Sequence, residues 1–472
     1  MTMPGTAHSE SARQWVHVGS GLFALLLRVL TPWQAAGLAA TALVCNIVVL
    51  PRVGGRRLYR PVDEARGFPL GILLYPLSVL LLTLIFPTRL DIAAAAWAIL
   101  AFGDGAATLV GRRTTTINAE TAEPEDCKKI PASSASSALI GRRIPWNRDK
   151  SVAGTLAFFV CGGAGAVALA WWVRPAITPL PPLAFTIVAP IAAAAIAALV
   201  ETIPIRLDDN ISVPVAAGSV LWLASLMTMA SAAAARETMI AALPWALGVN
   251  AITGWIGYRA RTVSRSGAVA GALVGSIIYL GGGVNAWLLL FLVFIAASAA
   301  SRFGLARKEQ LGIAEERGGR RGAGNAIANC GVAAAAAIVA VTTPYAPAAL
   351  VALVAALTAG GSDTVASEIG KGWGRSTFLV TTLSRVKPGT PGAMSREGTT
   401  AGLLAAFALA ATGAMLGLVP QSATFAIVVG ATAGALIESA LGATLEGPGI
   451  LNNDMLNLIN TAVAAAVALA IA

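Results

Sequence analysis

Charge is scarce in this chain. Only 12% of its 472 residues are Asp, Glu, Lys or Arg, about half the share of an ordinary soluble domain. So little charge cannot clothe a water-facing surface, which argues against a soluble globular enzyme. Histidine is scarcer still. With His8 and His17 alone, neither a His-rich metal site nor a Ser-His-Asp triad is expected. The four cysteines are scattered: Cys45, Cys161 and Cys330 fall in apolar runs and Cys127 in a polar loop. No CxxC pair exists, so they read as reduced packing residues. No GxxxxGK[ST] occurs, which excludes a P-loop kinase on motif grounds. The opening MTMPGTAHSESARQ places no basic stretch before the first apolar run, so no cleavable signal peptide is expected.

What is abundant is apolar sequence. The chain is 56% hydrophobic with mean hydropathy +0.74. Apolar runs of about 17–25 residues recur from end to end, which predicts an all-α, polytopic helical membrane protein. Fifteen spans are expected between 16–31 and 456–472, among them 91–111, 213–235, 239–258, 266–282, 285–301 and 346–361. With the N-terminus cytoplasmic, all of the 33 Lys and Arg except Arg28, Arg89, Arg174 and Arg236 fall on the cytoplasmic side, as the positive-inside rule requires. The net charge of +10 then faces anionic membrane lipid and nucleotide phosphates and needs no nucleic-acid partner. The opposite loops, such as TPWQ and VPQS, are short and nearly uncharged, so function is expected at the cytoplasmic ends of the spans. The loop 112–150 carries a Ser/Ala/Glu/Pro-biased insertion, 114–141, read as flexible. Ala- and Arg-rich composition points to a GC-rich bacterium and its plasma membrane. Oligomeric state is not legible.

One device appears twice. Gly111 follows Asp104 by seven positions in LAFGDGAATLVGRR, and Gly370 follows Asp363 by seven in TAGGSDTVASEIGK. Ala107 and Ala366 follow each Asp by three, and Arg112 and Lys371 follow each Gly. Both motifs precede a basic loop that ends in Gly-Thr, Gly154-Thr155 and Gly398-Thr399. A carboxylate at the mouth of a membrane span is costly unless paired or metal-bound, so each marks a candidate site. The first half adds Arg13 and His17, Glu64 and Arg66, Lys150, and Glu201 with Asp208, Asp209 and Asn210. Mg²⁺ takes hard oxygen ligands and keeps several waters, so one or two carboxylates plus substrate phosphates suffice. Phosphoryl transfer needs that metal, cations on the phosphates and an oriented hydroxyl. Asp104, Asp208 and Asp209 fit the first need, as catalytic and metal-binding residues, and Arg112 and Lys150 the second. Each also has a plainer reading: Arg66 and Arg112 as topology determinants, Asp208 and Asp209 as a solvated acidic turn, His17 as a packed, hydrogen-bonded residue.

The combination RQWVHVGSG, DEARGFPLGILLYPL, GDGAATLVGRR, IPWNRDKSVAGTLAFF and AALVETIPIRLDDNISVP, over about residues 10–230, resembles the phytol kinase and dolichol kinase family. Those membrane enzymes phosphorylate long prenyl alcohols with CTP or another nucleoside triphosphate. Phosphatidate cytidylyltransferases belong to the same superfamily. The resemblance implies that Asp104, Lys150, Asp208, Asp209 and Asn210 line a nucleotide–metal site, joined by Thr155. Over about residues 245–465, the stretches VNAITGWIGYRARTVSRSGAVAGALVG, GGSDTVASEIGK, VKPGTPGAMSREGTTAG, LIESALGATLE and LNNDMLNLINT resemble the membrane proteins that include phytyl-phosphate kinase and transmembrane protein nineteen. There, chemistry nominates Asp363 and Glu438 as catalytic, Asp363 and Asp454 as metal ligands, and Glu368 as a further carboxylate. Arg320, Arg321, Lys371, Arg396 and Thr399 would bind phosphate, and Asn325, Asn329, Asn453 and Asn457 would orient polar groups.

Glu438 followed by Asn453 and Asp454 echoes Glu201 followed by Asp208 and Asp209. Two related bundles in a parallel repeat are therefore expected, residues 1–235 and 236–472. The resemblance implies an Mg²⁺- and nucleotide-dependent enzyme of prenol salvage. One half would phosphorylate a prenyl alcohol such as phytol or geranylgeraniol, and the other the resulting monophosphate. A cytidylyltransferase making a CDP-lipid, or a lipid transporter, are the alternatives.

Overall fold

A computed structural model describes residues 10–53, 69–111, 143–144, 147–203, 208–310, 312–313, 320–447 and 451–472. Glu64, Arg66, Arg112 and the insertion 114–141 lie outside the described residues, as does the side chain of Arg13. The fold is all-α apart from two short ribbons, and the chain divides into two compact units, Met1–Ser225 and Leu226–Ala472.

In the first unit, α1 (Glu10–Gly21) runs into a 3₁₀ segment, Leu22–Arg28. Helix α2 (Pro32–Val48) begins at a Thr31–Gln34 capping box with Pro32 inside its first turn, a start that satisfies two orphan backbone donors. Then come α3 (Leu70–Ile85), α4 (Leu90–Gly111), the ribbon β1 (Arg143–Ile144) and β2 (Asn147–Ser151), α5 (Val152–Val173), α6 (Leu183–Thr202) and α7 (Asp209–Ser225). The second unit holds α8 (Met229–Arg259), α9 (Arg265–Arg302), the short α10 (Leu305–Gln310), α11 (Ala323–Thr342) and α12 (Ala346–Trp373). Ribbon β3 (Thr377–Leu379) with β4 (Ala393–Ser395), α13 (Arg396–Met415), α14 (Ala423–Leu441) and α15 (Asn453–Ile471) complete it.

Among the described residues, ten helices are long and apolar enough to cross a membrane, against the fifteen expected. The first expected span, 16–31, is a short α-helix continued as 3₁₀, and α2, α3 and α7 are only 16 or 17 residues long. The expected span 213–235 does not exist as one helix. Thr228 caps a new helix by accepting from the Ser231 backbone N–H at 3.1 Å, so α7 stops at Ser225 and the units part at 225/226, not 235/236. The expected spans 266–282 and 285–301 are the two arms of α9. A straight helix of its 38 residues would be about 57 Å long, nearly twice the hydrocarbon thickness. Instead Gly283, at φ +75° and ψ −175°, turns the chain, and Arg302 returns to donate to the Ala260 carbonyl. Positive φ of this kind is open to glycine and strained for other residues.

One helix lies at the centre of each unit. Of their most apolar stretches, 67% is buried in α4 and 72% in α12, while no other spanning helix exceeds 39%. Alanine dominates both: Ala93–Ala96, Ala98 and Ala101 in α4 and Ala355, Ala356 and Ala359 in α12 are at most 1% exposed. Small side chains let helices approach closely, which is how membrane helices gain packing energy. Asp104 and Asp363 thus sit on the most enclosed helix of their units, where an ionised side chain is most expensive. The helix packing repeats as well. In the first unit α4, α5, α6 and α7 contact one another in cyclic order, as do α12, α13, α14 and α15 in the second.

Candidate functional site

The first site is built where α4, β2, α6 and α7 converge. The last turn before Asp104 is a π-helical segment, Ile99–Asp104, a distortion often found at functional positions because it re-aims side chains. Carboxylate oxygens of Asp104, Glu201 and Asp209 lie within 4.8 Å of one another. Lys150, delivered by β2, donates from Nζ to Glu201 Oε1 at 2.6 Å and to Asp209 Oδ2 at 3.0 Å. Burial works to lower the Lys150 pKa, but the carboxylates of Glu201 and Asp209 outweigh it and hold the ammonium above the usual lysine range. Glu201 is 3% exposed, and its Oε2 has no hydrogen-bond partner. His17 Nε2 lies 3.6 Å from Asp104 Oδ2 and 3.2 Å from the Leu100 carbonyl oxygen. Tyr75 packs edge-on against the imidazole with 4.5 Å between ring centres, and its hydroxyl accepts from Trp97 Nε1 at 2.8 Å.

A cavity of about 580 Å³ opens beside this cluster, lined by Thr108, Arg143, Asp149, Lys150, Thr155 and Glu201 among others. One wall is the start of α5. Ser151 caps it, its Oγ accepting from the Gly154 N–H at 3.1 Å. A Cβ at Gly154 would lie 3.1 Å from the Ala107 carbonyl oxygen, and Gly111 lies against Ser151. The GDGAATLVG and KSVAGT motifs thus form one interface between two helices.

The same joint recurs in the second unit. Ser395 caps α13 by accepting from the Gly398 N–H at 3.0 Å. A Cβ at Gly398 would lie 2.6 Å from the Ala366 carbonyl oxygen, and Gly370 lies against Ser395. A cavity of about 250 Å³ there is lined by Asp363, Lys371, Thr399, Glu438, Glu446 and Asn453, with the 388–395 segment as a wall. Glu438 Oε2 accepts from Asn460 Nδ2 at 2.7 Å. Among the described residues, no trio of potential metal ligands in this unit is as tight as that in the first.

Several expected residues fall elsewhere. Asp208 does not join the carboxylate cluster: its Oδ1 accepts from the Asn210 N–H at 2.9 Å and from Nδ2 at 2.7 Å, capping α7. Glu201 takes the place expected for it. Asn210, tied to that cap, offers its carbonyl oxygen to Ser78 Oγ. Glu368 points away from its cavity into an ion pair with Lys308, and both are at most 2% exposed. Lys371 Nζ is 3.6 Å from the other oxygen of Glu368, an ion-pair distance rather than a hydrogen bond. Asp454 lies against Gly324 and does not line the cavity. Asn457 is buried on α15, Arg320 and Arg396 are exposed, and Arg321 and Asn325 border a different cavity with Asn329. Sequence reasoning missed Lys308, Glu446, Asn460 and Tyr75. Lys308 stands in LARKEQ, a run that reads as solvated, and Glu446, Asn460 and Tyr75 are single polar residues in apolar stretches.

The family model described as "Integral membrane protein DUF92" matches residues 248–465. The chain is 36% identical over 214 residues to Protein VTE6, chloroplastic, of Arabidopsis thaliana, a match covering 44% of this chain and 64% of that protein. It therefore spans less than two thirds of that relative. It is 38% identical over 205 residues to an uncharacterised membrane protein of Synechocystis, covering 42% of this chain and 78% of that protein. An uncharacterised membrane protein of Methanocaldococcus jannaschii is 32% identical over 206 residues, covering 43% and 84%. No solved structure matches the chain.

Proposed function

Since the chain belongs, through residues 248–465, to the DUF92 family of integral membrane proteins, we propose that it is a membrane phosphotransferase acting on prenyl lipids. The first unit transfers the terminal phosphate of CTP or another nucleoside triphosphate to a prenyl alcohol such as phytol or geranylgeraniol. The second adds a phosphate to the resulting monophosphate. The observation that carries this reading is the Asp104–Glu201–Asp209 cluster with Lys150, beside a cavity walled by a Ser-capped helix start.

The cluster fits a hard divalent cation. Three carboxylates and one ammonium leave two negative charges, and Glu201 Oε2 is a buried acceptor without a partner. Asp104, Glu201 and Asp209 would hold Mg²⁺, which when bound neutralises phosphate oxygens. The other tasks fall to this chain's own groups. Lys150 and Arg143 bring positive charge to the cavity. The start of α5, through Ser151, Gly154 and Thr155, lines the same space, and a helix start favours anions. The alcohol oxygen attacks the terminal phosphorus, the bond from phosphorus to the nucleoside diphosphate oxygen breaks, and the alcohol's proton passes to Asp104 Oδ2, beside His17 Nε2. In the second unit Lys371 and the start of α13 take the cationic role, and Asp363 and Glu438 the acidic one.

The test is a product assay on purified protein with phytol, Mg²⁺ and CTP labelled at the γ or α position. Label in the lipid from the γ position is expected; label from the α position would instead establish a cytidylyltransferase. Asp104→Asn should abolish monophosphate formation while supplied monophosphate is still converted to diphosphate, and Asp363→Asn should do the reverse. Loss of both steps from either single change would refute one reaction per unit.

A further inference from the structure

A second cavity in the second unit, about 130 Å³, lies between α8, the two arms of α9, α11 and α12. It is distinct from the Asp363 cavity and differs from it in kind. Its floor is glycine, at Gly254, Gly257, Gly267 and Gly271, and its wall is aromatic. Trp287 and Phe291 stack with ring centres 5.3 Å apart and planes 8° from parallel. Trp287 is fixed by donating from Nε1 to Asn250 Oδ1 at 3.0 Å. The result is a flat, apolar slot among membrane-spanning helices. Its volume is close to that of an apolar cavity that accepts a six-carbon ring.

The slot has a polar end. Arg321, Asn325 and Asn329 line it from the start of α11. Asn329 is 8% exposed, and its Oδ1 is buried without a hydrogen-bond partner. Gly360 of α12 also borders the slot. Asp363 lies three residues on, so it sits on the same helix face one turn away. A molecule with its head at Asp363 and its body in the slot passes only that turn.

We propose that this slot seats one isoprene unit of the prenyl monophosphate, close to its phosphate. This rests on the prenyl-phosphate reading given above for the second unit. A five-carbon isoprene unit is planar about its double bond and carries a methyl branch, so it fills the width between glycine floor and aromatic wall. A straight saturated chain leaves that width empty and forfeits the dispersion contacts. Arg321, at the polar end of the slot, supplies charge complementary to the phosphate.

Gly271 makes the proposal testable, because a Cβ there meets nothing within 4 Å. Gly271→Leu therefore fills the slot without displacing backbone. Gly248 has equally open surroundings but lies outside the slot and is exposed, so Gly248→Leu is the control. The full-length protein would be photolabelled with a diazirine-bearing geranylgeranyl monophosphate and the adducts mapped by mass spectrometry. Label is expected in the two arms of α9, suppressed by unlabelled geranylgeranyl monophosphate but not by hexadecyl phosphate. Gly271→Leu should cut labelling by roughly tenfold or more, since the buried contact of several carbons is lost, and Gly248→Leu should leave it unchanged. Label confined to other helices, equal suppression by hexadecyl phosphate, or labelling unaffected by Gly271→Leu would overturn the proposal. The competition experiment uses the unaltered protein, so it decides even if a variant fails to fold. Labelling needs neither nucleotide nor turnover, so failure of the slot is distinguishable from failure of the kinase reading.

Discussion

Lys308 and Glu368 form the most deeply enclosed ion pair among the described residues, at 1% and 2% exposure. Lys308 Nζ also donates to the Ala300 and Ser301 carbonyl oxygens, at 3.2 and 2.9 Å. Removing Lys308 leaves the buried Glu368 carboxylate only Lys371 at 3.6 Å, at a cost of up to about 3–5 kcal/mol, whereas replacing both partners by apolar side chains is often neutral. Lys308→Met should therefore lower the thermal unfolding temperature in detergent sharply, and Lys308→Met with Glu368→Met should recover most of the loss. A double variant as unstable as the single one would show that the pair is not the cause. Lys150 is different, being reachable from its cavity. Its carboxylate neighbours keep it protonated above the usual lysine range. Any stability it confers through a raised pKa is complete below the unfolded value of about 10.4 and fades only as pH climbs through the folded one. An amine-reactive label applied at about pH 9 should thus modify exposed lysines and spare Lys150, as read by mass spectrometry. Asp104 and Lys150 were legible as candidates because they interrupt or flank apolar runs with their motifs intact. The choice between Asp208 and Glu201 was not. Adjacent acids in a loop carry no periodicity, and only the start of α7 decides that Asp208 caps while Asp209 faces Lys150.

Helix starts, rather than helix bodies, carry the likeness between the two units. Ser151 and Ser395 each cap a helix whose third residue is a glycine pressed against the central helix. Losing such a cap costs about 1 kcal/mol. Ser151→Ala and Ser395→Ala should each produce a small fall in stability and a larger fall in the reaction of their own unit, measured separately with alcohol and with monophosphate as substrate. Equal losses in both reactions from either change would separate the caps from the sites. The repeated spacing of Asp, Ala and Gly was visible in the sequence because close helix contact permits only small residues at fixed intervals. The ribbons were not visible, since strands of two to five residues are too short to show alternation. The turn at Gly283 was legible in its consequence, two spans, though no polar loop separates them. The start at Met229 was hidden because the alanines after Thr228 continue the apolar run.

Taken entire, the chain is an integral membrane protein of two compact units with matching four-helix sets. From the asymmetric spread of basic residues in the sequence, both candidate sites are predicted to open to one compartment. In a variant with its four cysteines replaced, single cysteines at Thr155 and Thr399 should react with an impermeant maleimide from the same side of sealed vesicles. Reaction from opposite sides would end the two-step reading. The helical content and the pairing of the halves were readable because membrane burial writes itself into long runs and repeated motifs. The contents of the second cavity were not, because glycines and aromatics spread over four helices form no local pattern. The Asp-to-Gly interval has a last implication. Seven residues of α-helix span about 10 Å, and in each unit the glycine end is pinned beside a capping serine while the carboxylate lies two turns deeper. The two halves thus carry the same built-in depth gauge; under the proposed reaction an extended triphosphate would reach along it and a lone phosphate would not, so nucleoside monophosphates are predicted to be poor competitors at either.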